Sequence, residues 1–314
     1  MKVFFSLRPP NHSFGGGAFF VKNIINYLKN KNIKTTFELE PNIDLLFIID
    51  PRKSNPNYKK YSVLELIEYK KKNPKTKIIY RVNECDIKRE VSANIEPLLI
   101  ETMKIADYVV FVSKWLQKYF IKKYKLNINS TAILNGCNLK HFTPSKNLKF
   151  SNNKIKLVTH HFSNNYLKGF HIYNALDKLL ENRDDIEFTY IGNYNEKYQP
   201  KNINILPPTS CKELGDLIKE HDIYLTATQN EPGAMHYLEG LSCGLPILYC
   251  KNGGGAQEIC CMAGEEYNNI ESLLAKISLI KNNYKSYTDK INYKFLDSQR
   301  CCEEYYRVII NILN

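Results

Sequence analysis

The sequence predicts an α/β protein built on parallel sheets, and three observations carry that expectation. Short apolar runs that read as buried strands alternate with segments of helical spacing. A glycine loop joins the first strand to the first helix, an arrangement that lets backbone approach a phosphate. The chain has 314 residues, long enough for two α/β domains of ordinary size.

Taken in order, residues 2–7 (KVFFSL) form the first buried strand. The loop RPPNHSFGGG follows at 8–17, and 18–31 reads as a helix with Phe20, Ile24, Ile25 and Leu28 on one face. The loop fails the dinucleotide fingerprint, because Gly15, Gly16 and Gly17 are followed by Ala18, Phe19 and Phe20 with no third spaced glycine. It also lacks the Gly-Lys-Ser/Thr of a P-loop, so a plain tight turn stays open. A strand at 44–49, a helix at 63–71 and a strand at 77–82 come next. Asn83, Glu84, Cys85 and Asp86 fall just after that strand, where ligand contact and helix capping are equally open for Asp86. Residues 106–112 (ADYVVFV) read as another buried strand, with Ser113 as the N-cap of the following helix. Residues 131–134 lead into the turn dipeptide Asn135-Gly136. The polar stretch 146–153 reads as a linker. Beyond it lie a strand at 156–159, a loop at 160–169 with His160, His161 and Lys168, and a helix at 170–180. A strand at 186–191, ending at Gly192, and a helix at 211–220 follow; 284–314 reads as mostly helical.

The stretch 223–250 carries the chemistry. It reads as a strand (IYLTAT), a loop with Glu231-Pro232-Gly233, a helix at 235–242 with Met235, Leu238 and Leu241 on one face, and a strand at 245–250. The helix opening at Gly233 and Ala234 offers N–H groups and a positive dipole end to an anion such as a diphosphate. Glu239 lies roughly 12 Å beyond Glu231 along the axis, at a rise of about 1.5 Å per residue. That separation suits two parts of one elongated ligand rather than an acid and base on one bond. A capping Glu231 and a solvated Glu239 are the plain alternative.

Hydrophobic residues make up 43% and charged residues 24%, the balance of a soluble globular protein. No apolar run reaches bilayer length, and the run at 3–7 is stopped by Arg8 and two prolines, which places the expected protein in the cytoplasm. Nine cysteines without a C-x-x-C pair fit reduced thiols. The net charge is +12, yet the lysines are scattered among Asn, Ile and Tyr, without the stripe that binds nucleic acid. A small anionic ligand, or peripheral contact with an anionic membrane, accounts for the charge equally well. There is no Asp-x-Asp element and no His/Cys/carboxylate cluster with metal-ligand spacing, so no bound metal is expected.

Glu231 and Glu239 with seven residues between them, followed by Gly240, Cys243, Gly244 and Pro246, resemble the E-x7-E signature of family-4 retaining glycosyltransferases of the GT-B fold. The segment 106–113, the run Asn135-Gly136-Cys137-Asn138 with Phe142 and Pro144, the triplet Lys168-Gly169-Phe170, and Gly253-Gly254-Gly255 with Glu258 are similar to other segments of that family. The resemblance implies a GT-B architecture, two Rossmann-like domains with parallel sheets facing a central cleft. Residues 1–147 would form the acceptor-side domain, completed by a helix at about 296–314, and 148–295 the donor domain. It implies transfer of a sugar from a nucleoside-diphosphate donor to a glycan, lipid or other hydroxyl acceptor, with retained configuration and no cofactor. Glu231 would then hold sugar hydroxyls and Glu239 the ribose, while Lys168, Gly16, Gly17, Gly233 and Ala234 would meet the diphosphate. The chain departs from the family at Asn138, which replaces an aspartate, and at Phe162, which replaces an arginine; either His160 and His161 share its work or the diphosphate is held with fewer charges. It also lacks the histidine expected after 77–82, which leaves Asn83, Glu84 or Asp86 as substitutes. A nucleotide-sugar epimerase or phosphorylase on the same fold, and a non-catalytic nucleotide-sugar-binding protein, are the alternatives.

Overall fold

The computed structural model describes residues 1–10, 16–52, 58–145, 154–209 and 211–314. Gly15 and the linker at 146–153 lie outside the described residues. The chain divides into two compact units, one of Met1–Asp86, Ala93–Asn135 and Ser298–Asn314, the other of Ile87–Ser92 and Gly136–Asp297.

The first unit is a six-stranded parallel sheet with helices. Its elements are β1 (Lys2–Phe5), α1 (Gly16–Asn30), β2 (Lys34–Thr36), β3 (Leu45–Ile48), α2 (Val63–Lys72), β4 (Lys77–Val82), α3 (Glu96–Ile105), β5 (Tyr108–Phe111), α4 (Lys114–Tyr124) and β6 (Ser130–Ala132). The strand order is β2-β1-β3-β4-β5-β6, so the winding reverses between β1 and β3. Central strands of such a sheet are covered on both faces, which is why β3 (LLFI) is apolar without alternation and wholly buried. The sequence sets the helix starts. Ser62 and Glu65 form a capping box before α2, and Ser113 Oγ accepts from Leu116 N at 3.1 Å before α4. Arg81 is 1% exposed on β4. Its guanidinium lies 4.3 Å from the centre of the Phe20 ring and donates through Nη2 to Asn135 Oδ1 at 2.9 Å. The turn at Asn135 is therefore also a partner for a buried cation.

The second unit repeats the plan with β7 (Ile155–His161), α5 (Phe170–Leu180), β8 (Ile186–Gly192), β9 (Asn204–Leu206), α6 (Cys211–Ile218), β10 (Ile223–Thr226), α7 (His236–Ser242), β11 (Ile247–Cys250), α8 (Gln257–Cys260), β12 (Gly264–Tyr267), α9 (Ile270–Asn282), α10 (Tyr284–Thr288) and α11 (Tyr293–Leu296). All strands are parallel in the order β12-β11-β10-β7-β8-β9. The winding reverses between β7 and β10, and the carboxyl ends of those two strands are where a fold of this type binds ligands. An aromatic cluster of Phe170, Tyr173, Tyr190 and Tyr198 fills the core beside β7 and β8.

The last helix, α12 (Ser298–Leu313), belongs to the first unit. Cys301, Cys302, Tyr305 and Ile309 form its buried face, and Tyr305 meets Phe20 of α1 with ring centres 4.7 Å apart. None of the nine cysteines is in a disulfide.

Candidate functional site

The site in the second unit begins where β7 ends. His160 and His161, expected in a loop, are instead the last residues of the strand, opposite Ile191 and Gly192 of β8. A side chain at Gly192 (φ +126°) would stand 2.0 Å from the His161 carbonyl oxygen, so only glycine lets the two strand ends run this close. The chain then turns through Tyr166–Lys168, capped by Asn165, whose Oδ1 accepts from Leu167 N at 3.2 Å. Gly169 follows at φ +108°, and a Cβ there would lie 2.3 Å from the Ala227 Cβ. Its bare backbone brings Lys168 against the loop that leaves β10.

That loop carries Glu231. Its backbone is held from two sides: Gln229 N donates to Leu167 O at 2.8 Å, and Asn230 N to Asn252 O at 2.8 Å. Gly255 N donates to Glu231 O at 2.8 Å, while Gly254, at φ +69°, leaves no room for a Cβ beside the same oxygen. Glu231 is buried and its carboxylate is ion-paired with Lys168. Burial pushes its pKa up, but the charges of Lys168, Lys88 and Arg89 and the bond from Lys168 outweigh burial and hold it below the ordinary carboxylate value. Glu231 does not cap α7, which has no side-chain cap.

Glu239 is also not a solvated side chain. Its Oε2 lies 2.6 Å from His160 Nε2, and His160 Nδ1 lies 2.9 Å from the Tyr224 hydroxyl. The next residue explains how α7 comes so near: a Cβ on Gly240 would stand 2.4 Å from the Tyr224 ring. The expectation of one acid on the loop and one on the helix thus becomes two separate polar pairs, Lys168–Glu231 and His160–Glu239. The amide of Ala234 donates to the Tyr237 hydroxyl at 3.0 Å. Gly233 and Ala234 precede α7, whose first residue is His236.

Two further histidines lie beneath these pairs. His161 Nε2 is 2.9 Å from the Tyr173 hydroxyl, and His236 Nε2 is 2.8 Å from Thr226 Oγ1. Their ring centres are 4.6 Å apart. Burial pushes both pKa values well below the ordinary 6.5, and the charge of Lys168 adds to the effect, so the neutral form of both rings is favoured. His236, between the two glutamates, is a site residue that sequence spacing does not single out. Beside the site, a cavity of about 690 Å³ is lined by Phe162, Asn164, Asn193, Tyr194, Leu206 and Pro207, among others, at the carboxyl ends of β7, β8 and β9.

In the first unit, α1 begins at Gly16, and a Cβ on Gly17 would meet nothing nearer than 3.9 Å, from Asn83 and Leu7. Asp86 accepts from Ile95 N at 3.1 Å and Glu96 N at 3.2 Å, which makes it a cap for the start of α3. Glu84 Oε1 accepts from Cys85 N at 3.3 Å, and its other oxygen lies 4.0 Å from Arg52. Among the described residues no group of three or more His, Cys, Asp or Glu is placed to hold a metal ion.

With this geometry in view, the comparisons with known proteins are specific. The family model for glycosyl transferases group 1 matches residues 140–296, half of the chain. The chain belongs to that family. A probable sucrose-phosphate synthase from Thermosipho melanesiensis is 27% identical over 178 residues. That match takes in 53% of this chain and 38% of the relative, so the chain spans well under half of the relative's length. Among solved structures, a sucrose-phosphate synthase from Thermosynechococcus elongatus aligns with a TM-score of 0.69 at 12% identity, covering 99% of this chain and 98% of the other. HepE from Anabaena, in complex with UDP-glucose, aligns at 0.71 and 16% identity, covering 99% and 100%. These likenesses establish this group 1 glycosyl transferase as an α/β protein of the GT-B fold, each unit carrying one six-stranded parallel sheet. Among its described residues no helix is long and apolar enough to cross a membrane.

Proposed function

We propose that this chain moves a sugar from a nucleoside-diphosphate donor to a hydroxyl of a glycan, lipid or other glycoconjugate acceptor, with retained anomeric configuration. The observation that carries this reading is the pair of held carboxylates, Glu231 and Glu239, at the carboxyl ends of the strands flanking the point of reversal. HepE, a neighbour in fold, is known in complex with UDP-glucose, which supports a nucleotide-sugar as the donor here.

In this mechanism the bond between the anomeric carbon and the leaving phosphate oxygen breaks while the acceptor oxygen bonds on the same face. The acceptor proton passes to an oxygen of the departing diphosphate. The protein supplies position and charge. Lys168 neutralises the leaving group, ionised Glu231 holds sugar hydroxyls and steadies positive charge at the anomeric carbon, and Glu239, oriented by His160, holds the ribose. Gly16, Gly17, Gly233 and Ala234 are proposed as diphosphate contacts, and Asn83, Glu84 and His161 as sugar-side candidates, on the resemblance alone. The reaction is proposed to run without a metal ion; loss of turnover in excess chelator would contradict that. A cytoplasmic enzyme that reaches its acceptor at an anionic membrane surface fits the net charge of +12.

The test is a thermal-shift panel of nucleotide-sugars, followed by proton NMR of the product. At least one donor should raise the melting temperature, in proportion to its affinity. The newly formed glycosidic bond should keep the donor's anomeric configuration. Stabilisation by none of the panel would end the reading, and an inverted product would end the retaining mechanism.

A further inference from the structure

The first unit holds a cavity that the chemistry above does not use. It measures about 300 Å³ and is lined by Arg8, Phe37, Glu38, Tyr58, Lys60 and Tyr61, with the end of β1 beside them. β1 and β3 flank the point where the winding of this sheet reverses, and carboxyl strand ends at such a point are where open α/β sheets take ligands. The volume lies at the lower end of the range for small-molecule sites.

Glu38 organises the polar side of the cavity. Arg8 Nη2 donates to its Oε1 at 3.1 Å, while Lys60 Nζ and the Tyr61 hydroxyl donate to its Oε2 at 2.6 and 2.8 Å. The Tyr61 hydroxyl in turn accepts from Leu39 N at 3.4 Å, and its ring meets Phe4 with centres 5.8 Å apart. The carboxylate is therefore oriented before any ligand arrives. It is also within reach of one, because the side chains of Arg8, Glu38 and Lys60 are 53%, 44% and 55% exposed. An ionised carboxylate has about four acceptor sites, and a lysine or arginine has several donors. Among the described residues Glu38 is the one acid paired with Arg8 or Lys60, so the group keeps an acceptor and several donors for a ligand.

The other side is aromatic. The Arg8 guanidinium lies 5.1 Å from the centre of the Phe37 ring, and Tyr58 and Tyr61 complete the wall. The negative face of such a ring attracts the weakly positive C–H face of a sugar. An acceptor set beside donors matches two neighbouring hydroxyls, each of which both donates and accepts. A fatty chain would strip water from Glu38, Arg8 and Lys60 and give nothing back. A bare anion would meet the charge of Glu38.

We infer that this cavity is a saccharide site, with its aromatic wall against a ring face and Glu38, Arg8 and Lys60 on two neighbouring hydroxyls. On the transfer reading proposed above, the sugar bound here is the acceptor, so the acceptor presents a glycan end rather than a lipid chain.

The experiment is saturation-transfer difference NMR on the whole chain, with methyl glucoside, methyl galactoside and methyl mannoside as probes and inorganic phosphate as competitor. It compares the wild type with E38Q, K60Q and K118Q. At least one glycoside should bind the wild type. E38Q and K60Q should each weaken it roughly tenfold, the worth of one charge-assisted hydrogen bond. K118Q removes a lysine charge from the exposed face of α4 in the same unit and should stay within about twofold. No glycoside bound by the wild type, equal affinity in the wild type, E38Q and K60Q, an equal loss in K118Q, or displacement of the glycoside by phosphate would overturn the inference. E38Q also unties Arg8 and Tyr61, so K60Q, at a half-exposed side chain, carries the test if E38Q does not fold. If glycoside binding falls as expected but no nucleotide-sugar supports transfer, the catalytic reading fails and the saccharide site stands. If E38Q and K60Q transfer sugar with an unchanged acceptor KM, the saccharide site fails and the catalytic reading stands.

Discussion

His161 and His236 make the second unit sensitive to mild acid, and the size of the effect follows from their burial. Both rings have pKa values pushed well below the ordinary 6.5. In the unfolded chain each takes up a proton as the pH falls through 6.5; in the folded chain burial delays that uptake to lower pH. The unfolded state then binds more protons, so stability falls as pH falls. At pH 5.0 the loss is about 2 kcal/mol per ring relative to pH 7.5, or about 4 kcal/mol for the pair while both stay neutral. His171 and His221, also lowered by burial, add to it with the same sign. Glu231 and Glu96 are lowered below the ordinary 4.5, so their contribution is lost only at more acid pH. The perturbation is His236→Gln, whose amide still reaches Thr226 Oγ1 but does not titrate. Urea unfolding followed by circular dichroism at pH 5.0, 6.0 and 7.5 should show the pH-dependent loss smaller by about 2 kcal/mol in H236Q than in the wild type. Identical pH profiles for the two proteins would refute the reasoning.

Three other outcomes follow from the same geometry. Lys168→Gln leaves Glu231 buried without its partner and should cost about 3 kcal/mol in urea unfolding; K168Q/E231Q should recover part of that, read as the coupling in a double-mutant cycle. Gly169→Ala forces a Cβ within 2.3 Å of Ala227 at φ +108° and should lower stability by at least about 2 kcal/mol, whereas Gly17→Ala, with its nearest neighbours at 3.9 Å, should leave calorimetric stability nearly unchanged. In kinetics, Glu231→Ala should lower kcat with donor KM largely kept, while Glu239→Ala or His160→Gln should raise donor KM; the reverse pattern would overturn the role assignment.

Much of the fold could be read directly because central parallel strands are apolar on both faces. The expected strand at 77–82 is β4 to the residue, and 186–191 lies within β8. What escaped were elements whose burial is supplied from elsewhere. The edge strand β12 (GEEY) is mostly polar, β9 is three residues long, and α3 opens on Glu96-Pro97 without a clear apolar period. The two glutamates stood out by spacing, and Gly240 and Gly169 by motif, but their reasons are tertiary: each glycine is needed by a residue on another element. The partners of the glutamates were less accessible. His160 lies 79 positions from Glu239, and Lys168 63 positions from Glu231, so no local pattern pairs them. Asp86 illustrates the opposite case, a candidate ligand whose carboxylate is taken up by the backbone of α3.

The place of α12 has a consequence for how this protein is made. On the ribosome, strands β1 to β6 emerge early, but the helix that covers Phe20 and Phe47 is translated only after the whole of Gly136–Asp297. The second unit can therefore mature while the earlier-born sheet still shows an unclosed apolar face, the reverse of the usual N-to-C order. A permuted gene encoding residues 298–313 ahead of Met1 would let that sheet close during synthesis.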